Sequence, residues 1–328
     1  MSIKQAIINK ALRNAVAMLG TDYSRTYRDE VWPGPGGAAD CSSLIAACWG
    51  AAGFPLLSED GAELRTSCYQ VNAAGFSLIY PAARNKIGRN LPSPKGLLSE
   101  YGAEPGDIVF MNFDSNTSRA NKITHVAMIY DKVQIVHTAN NREKCCFKGM
   151  DYGDRRICAI IRLREDTRPP KLPEIKKPGD NEARAEEWAV RALQAALNVR
   201  ADKTLKLDGI YGPKTEAAVQ ELNAEAIGIT GGTCTEVTWG ALGFVNNVAA
   251  VRDLFLIDKP RMNGADVREL QERLMLMGYD IGSAGADGIY GPATDNAVRL
   301  LCERAEKLTP GLIDSHMRAM LGIVGGER

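Results

Sequence analysis

The spacing of hydrophobic and polar positions changes several times along this chain, and each change marks an element. Ile3, Ile7, Leu12, Val16 and Leu19 recur near helical spacing, with charges and amides between them and Gly20 behind them. That pattern predicts an amphipathic helix that stops at the glycine. Glycine, proline and alanine fill the stretch Pro33 to Ala39, and Asp40-Cys41-Ser42-Ser43 then leads into small apolar residues as far as Gly53. The reading is a loop, then a helix starting near Cys41, with Gly53 as its stop. Ser58-Glu59-Asp60-Gly61-Ala62-Glu63 reads as the start of a second helix running toward Ala74, and residues 76–100 read as a cleft-shaping loop. Asp107 to Phe110 is the first predicted strand. His125 to Tyr130 and Gln134 to His137 form two β-rich runs around a turn at Asp131-Lys132, which predicts a hairpin. A polar loop through 141–155 precedes a last strand, Ile157 to Leu163. A helix carrying a thiol against an antiparallel sheet is an α+β layout.

The candidate chemistry starts at Cys41. A thiol in the first turn of a helix meets unpaired backbone N–H groups and the positive end of the macrodipole. Those favour the thiolate, so a lowered pKa and a nucleophile are expected. The plain alternative is a small buried hydrophobe. The histidines are His125, His137 and His316. Side chains alternate along a strand, so an odd hairpin loop, such as three residues, puts His125 and His137 on one face. An even loop without a bulge puts them on opposite faces, and both arrangements stay open. The first permits a thiol, a histidine base and a second histidine that orients the base.

Asp40-Cys41-Ser42, Pro105-Gly106-Asp107-Ile108-Val109-Phe110, His125-Val126-Ala127-Met128-Ile129-Tyr130 and Val136-His137 together resemble the NlpC-type cysteine peptidases. The resemblance covers roughly residues 1–165 and implies a papain-like fold that cuts stem peptides of bacterial peptidoglycan. By that resemblance Cys41 matches the nucleophile, His125 the general base and His137 the orienting residue. Asp40 and Ser42 match flanking positions that help hold the substrate's amino end. Tyr23 resembles a tyrosine whose hydroxyl faces the site, with Tyr27 and Trp32 as alternatives because the segment from Tyr23 to Cys41 is longer than usual.

After this half, Glu165 to Asp180 turns rich in proline and charge without apolar periodicity, which reads as a semi-rigid linker over 165–182. An internal repeat follows. Val190-Arg191-Ala192-Leu193-Gln194 and Asp208-Gly209-Ile210-Tyr211-Gly212-Pro213 return as Val267-Arg268-Glu269-Leu270-Gln271 and Asp287-Gly288-Ile289-Tyr290-Gly291-Pro292. The glycines allow a tight turn, and each proline suits a first helical position. The repeat resembles peptidoglycan-binding three-helix domains. Asp208, Tyr211, Trp239, Asp287 and Tyr290 are then candidate wall contacts; the alternative is a fold-defining turn with core tyrosines. His316 reads as a structural helix residue. The expected organisation is a catalytic domain over 1–164, the linker, and two small all-α domains over 183–245 and 250–328.

Composition narrows the classes. The 328 residues suffice for two or three domains, and 45% hydrophobic with 24% charged residues is ordinary for a globular protein. A formal net charge of zero gives no basic bias toward nucleic acid, so attachment to an anionic wall would rest on specific pockets. The eight cysteines form no paired C-x-x-C, which suggests buried thiols of a reducing compartment and no zinc site. No cofactor is expected. The N-terminus shows no signal-peptide core and no segment is long enough to span a membrane, so no membrane insertion is expected. These readings imply a cytosolically made, endolysin-like peptidoglycan hydrolase that acts at the wall after release. It would cleave between γ-D-glutamyl and the diamino acid. The alternatives are an N-acetylmuramoyl-L-alanine amidase, a non-catalytic wall-binding protein, and a transferase using the same thioester.

Overall fold

The structure is a computed structural model, and it describes residues 3–31, 36–88, 101–114, 116–138, 143–152, 156–165, 167, 170, 172–177, 185–224, 230–242, 254–256, 261–304, 311 and 313. Trp32, His316 and residues 89–100 lie outside the described residues. The chain divides into two compact units. One holds residues 1–170 with 186–196 and 204–210; the other holds 171–185, 197–203 and 211–328.

The first unit opens with helix α1 (Ile3–Ala17), and Gly20 follows it at φ 84°. Strands β1 (Asp22–Tyr23) and β2 (Ala38–Ala39) pair in parallel, Tyr23 opposite Ala39. Helix α2 (Cys41–Gly50) starts directly after them and is buried along nearly its whole length. Its N-terminus is fixed by a capping box. The Asp40 carboxylate accepts the Ser43 amide at 2.7 Å, and the Ser43 hydroxyl accepts the Asp40 amide at 2.9 Å. Trp49 at the far end packs edge-on against Phe76 at 5.1 Å and Phe54 at 6.2 Å between ring centroids.

Six antiparallel strands form the main sheet: β3 (Phe76–Tyr80), β4 (Ile108–Met111), β5 (His125–Ile129), β6 (Gln134–His137), β7 (Cys146–Gly149) and β8 (Ile157–Leu163). Their spatial order is β3-β8-β4-β5-β6-β7. The four central strands, β8, β4, β5 and β6, are almost wholly buried, as strands covered on both faces must be. One core face gathers Val109, Ala127, Ile129, Ile135 and Ile160. Helix α2 packs on α1 and on β5. The α+β layout read from the sequence is therefore the layout of this unit.

Three local expectations are corrected. The helix predicted from Ser58 to Ala74 shrinks to one turn, α3 (Ser67–Gln70). Ser58 and Asp60 instead close a turn, with Gly61 at φ 84° and a bridge between Leu57 and Glu63. The predicted loop after residue 76 begins with edge strand β3, and the polar loop over 141–155 contains edge strand β7. Short edge strands with one wet side carry too little apolar alternation to stand out. Apart from these, described residues of the stretch 165–182, read as a linker, make contacts within each unit. The Thr167 hydroxyl donates to the Gly75 carbonyl in the first unit. In the second unit, Leu172 and Ile175 are buried, and Ile175 bridges Cys234.

The helices of the repeats are α4 (Glu187–Arg200), α5 (Pro213–Leu222), α6 (Glu236–Ala241), α7 (Ala265–Leu276) and α8 (Pro292–Arg304). The last pair packs around Leu270, Leu274, Tyr290, Val298 and Cys302. Among the described residues no helix is long and apolar enough to cross a membrane.

Candidate active site

The hairpin settles the question of faces. Met128 opposes Val136 and Ile129 opposes Ile135, so the register centres on Lys132 and the loop Asp131-Lys132-Val133 has an odd count. The Asp131 carboxylate holds this turn by accepting the Val133 and Gln134 amides, both at 2.8 Å. Continued by one pair, the register sets His137 opposite Ala127, so His125 and His137 share a face as diagonal neighbours. Their rings meet at a right angle, 5.2 Å between centroids, with His125 Nε2 and His137 Nδ1 3.1 Å apart. His125 is 5% exposed and His137 is fully buried.

Cys41 comes to the same place from the helix. The backbone amides of Ser42 and of Val126, the residue after His125, act on its thiol in favour of the thiolate. With Nε2 of His125 engaged by His137, Nδ1 is the nitrogen left to serve a thiol. The electrostatics overturn one expectation. Burial, and then the neighbouring Asp40 carboxylate, push the Cys41 thiol up to about 11, against the smaller help of the two amides and Arg119. The helix N-terminus does not win here, because the sulfur is out of water and the cap is itself an anion. Burial, with His137 adding to it, pulls the His125 imidazole down to about 3, and burial pulls His137 down to about 4.

The flanking residues are also near. Asp40 and Ser42 are buried, and the Ser42 hydroxyl donates to the Asp40 carboxylate at 2.8 Å. Arg28 forms an ion pair with Asp40 at 3.6 Å and reaches the Ser42 hydroxyl at 3.4 Å. Asp40 is thus already engaged by its cap and by a cation. The Tyr23 hydroxyl accepts from Arg25 Nε at 2.9 Å, and Arg25 interacts electrostatically with both Cys41 and Asp40. Tyr27 is 59% exposed.

In the repeats the singled-out residues have structural partners. Gln271 Nε2 donates to Asp287 Oδ1 at 2.9 Å and to the Ile289 carbonyl at 3.1 Å, while Gln271 Oε1 accepts the Gly288 amide at 2.7 Å. Gln194 does the same with Asp208, Ile210 and Gly209 at 2.8, 3.2 and 3.1 Å. Gly209 and Gly288 sit at φ 77° and 79°, as this turn requires. Tyr211 and Tyr290 are buried, and each donates its hydroxyl to a glycine carbonyl, Gly232 and Gly311 respectively. Trp239 is buried and donates to the Pro173 carbonyl at 2.8 Å. The candidate wall contacts Tyr211, Trp239 and Tyr290 are therefore core residues, and Asp208 and Asp287 are turn locks. The apolar side chains the turns do expose are Ile210 and Ile289, 60% and 43% accessible.

Residues 263–301 match the family model described as "Putative peptidoglycan binding domain". The N-acetylmuramoyl-L-alanine amidase CwlL of Bacillus licheniformis is 31% identical over 115 residues, 34% of this chain and 28% of that protein. The chain thus spans under a third of that curated relative. Among solved structures, NlpC2 from Trichomonas vaginalis is similar with a TM-score of 0.33 and 22% identity over 48% of this chain and 46% of that one. The peptidoglycan hydrolase RipB of Mycobacterium tuberculosis is similar with a TM-score of 0.32 and 18% identity over 49% of this chain and 66% of that one.

Four residues near the site were not singled out in the sequence. Phe113 and Tyr152 enclose the histidines: Phe113 lies 5.5 Å from His125 and Tyr152 lies 4.5 Å from His137, ring to ring. Arg28 meets the Asp40 carboxylate, and Cys146 meets the second histidine. None has a local signature, since each reaches the site through tertiary contact.

Proposed function

We propose that this chain is a cysteine-dependent peptidoglycan hydrolase that cuts a stem-peptide amide through a thioester. The observation that carries the reading is the 3.1 Å contact between His125 Nε2 and His137 Nδ1, with the Val126 amide next to His125 acting on the Cys41 thiol. Near neutral pH both partners rest uncharged, so His125 acts as a general base during attack rather than as half of a preformed ion pair. Cys41 Sγ bonds to the carbonyl carbon while its proton passes to His125 Nδ1. The tetrahedral oxyanion is held by backbone N–H groups at the start of α2, with the Tyr23 hydroxyl at hand. Its collapse breaks the C–N bond, and His125 returns the proton to the leaving amine. Water then attacks the thioester, with its proton again going to His125, and the C–S bond breaks to restore the thiol. Asp40 fixes the helix start that holds Cys41, and His137 orients the base.

The resemblance of the four motif blocks favours the bond between γ-D-glutamyl and the diamino acid. The second reading, cleavage between the muramyl lactyl group and L-alanine, is favoured by the amidase relative. Both use the same residues. The C-terminal repeats would hold the enzyme on the wall, raising the local concentration of its substrate. The experiment is digestion of purified peptidoglycan by the full chain, with mass spectrometry of the new termini. A new amine on the diamino acid is expected. A muramyl lactyl group freed of its peptide would move the assignment to the amidase, and intact muropeptides would contradict both.

A further inference from the structure

Cys146 stands apart from the other cysteines. It alone of the eight is not buried, and it sits on β7 directly opposite His137 in the strand register. Its sulfur lies 3.9 Å from His137 Nε2, the ring nitrogen that His125 leaves free. The contact between His125 Nε2 and His137 Nδ1 holds one hydrogen, and where that hydrogen sits decides the chemistry. A lone pair on His125 Nδ1 is needed to take the thiol proton, so the hydrogen must sit on His125 Nε2. His137 Nδ1 is then an acceptor, and the His137 hydrogen must sit on Nε2, facing Cys146. We propose that Cys146 is a positioning residue: its sulfur accepts the His137 Nε2–H and holds His137 in the tautomer that orients His125. This rests on the catalytic reading of Cys41, His125 and His137.

Among the described residues, the surroundings leave that acceptor role to the sulfur. Glu143 and Lys148 both act on His137 but are bonded to each other at 2.8 Å, the carboxylate favouring and the ammonium opposing a charged ring. Tyr152 packs its ring on His137 at 4.5 Å, and His125 occupies the other nitrogen. A thiol is a weak acceptor, yet it strengthens when the partner N–H is polarised by a proton arriving on His125. Without it, His137 can move its hydrogen to Nδ1. His125 must then accept at Nε2 and carry its own hydrogen on Nδ1, where it cannot act as base toward Cys41.

The test uses the full chain, whose few histidines keep ring nitrogen spectra assignable. Wild type should show His137 with Nε2 protonated and Nδ1 bare. Cys146→Ala and Cys146→Val both remove the acceptor, and each should shift His137 toward the Nδ1–H form. Each should also lower kcat by roughly 10–100-fold, by analogy with the partner that orients a metal-bound histidine, with KM little changed. Cys146→Ser, whose hydroxyl can accept, should restore kcat to within a few-fold of wild type. The proposal is overturned if wild-type His137 carries its hydrogen on Nδ1, or if Ala and Val variants keep full kcat with the tautomer unchanged. The reading of Cys41 as nucleophile fails separately, through activity surviving Cys41→Ala, and the ring spectra still report on Cys146 in that case.

Discussion

The Cys41 thiol and the His125 imidazole are both neutral over most of the pH scale, held at about 11 and about 3 chiefly by burial. A thiol with that pKa is about one part in 10⁴ thiolate at pH 7. Alkylation of Cys41 by iodoacetamide in the free enzyme should therefore be slow at neutral pH. It should rise about tenfold per pH unit and level off only near pH 11, as peptide mapping of the labelled residue would record. The sign follows from the direction of the shift: a raised thiol pKa removes the nucleophile below it and supplies it above. A plateau already reached at pH 6 would mean a preformed thiolate, and the resting state described here would be wrong. The sequence placed Cys41 on a helix start correctly but misjudged its charge. A dipole can be read from position along a helix, whereas desolvation and the approach of Asp40 depend on tertiary contact.

At the scale of elements, the parts with strong periodicity were legible. The first helix, the Cys41 helix, the His125–His137 hairpin and the strand ending at Leu163 all carry continuous apolar patterns. Strands β3 and β7 were not legible because they are short and lie at the sheet edges. The predicted Ser58 helix failed because Ser58, Asp60 and Gly61 favour a turn that competes with helix. The repeat was visible in sequence, and its physical cause is the buried glutamine that bonds the Asp-Gly-Ile turn. Gln271 is 1% exposed, and its side chain joins Asp287, Gly288, Ile289 and Thr294. Gln271→Ala takes the glutamine bond from the buried Gly288 amide and Thr294 hydroxyl and should cost about 1–3 kcal/mol. The melting transition of the second repeat should fall in calorimetry of the full chain, and less protein should pellet with purified wall. An unchanged melt would show that the turn holds without its glutamine.

For the whole molecule, the modular plan was legible because the repeat and the motif blocks are separated along the chain. The boundary was less so: residues 186–196 and 204–210 belong to the same compact unit as residues 1–170. Within that unit Arg191 bonds Glu63, and the Leu207 amide donates to the Asp29 carbonyl. These are pairings between distant residues that no local pattern announces. The central claim concerns the chain as a working hydrolase, and it turns on one atom, Cys41 Sγ. Lysis of purified peptidoglycan by full-length wild type, Cys41→Ala and Cys48→Ala, followed by turbidity, tests it most directly. Cys48 lies buried on the same helix and serves as the control. The account predicts that Cys48→Ala lyses the wall at a rate near wild type. Cys41→Ala should still pellet with the wall and show no lysis, because a methyl group cannot form the thioester. Substantial lysis by a folded Cys41→Ala protein would contradict it.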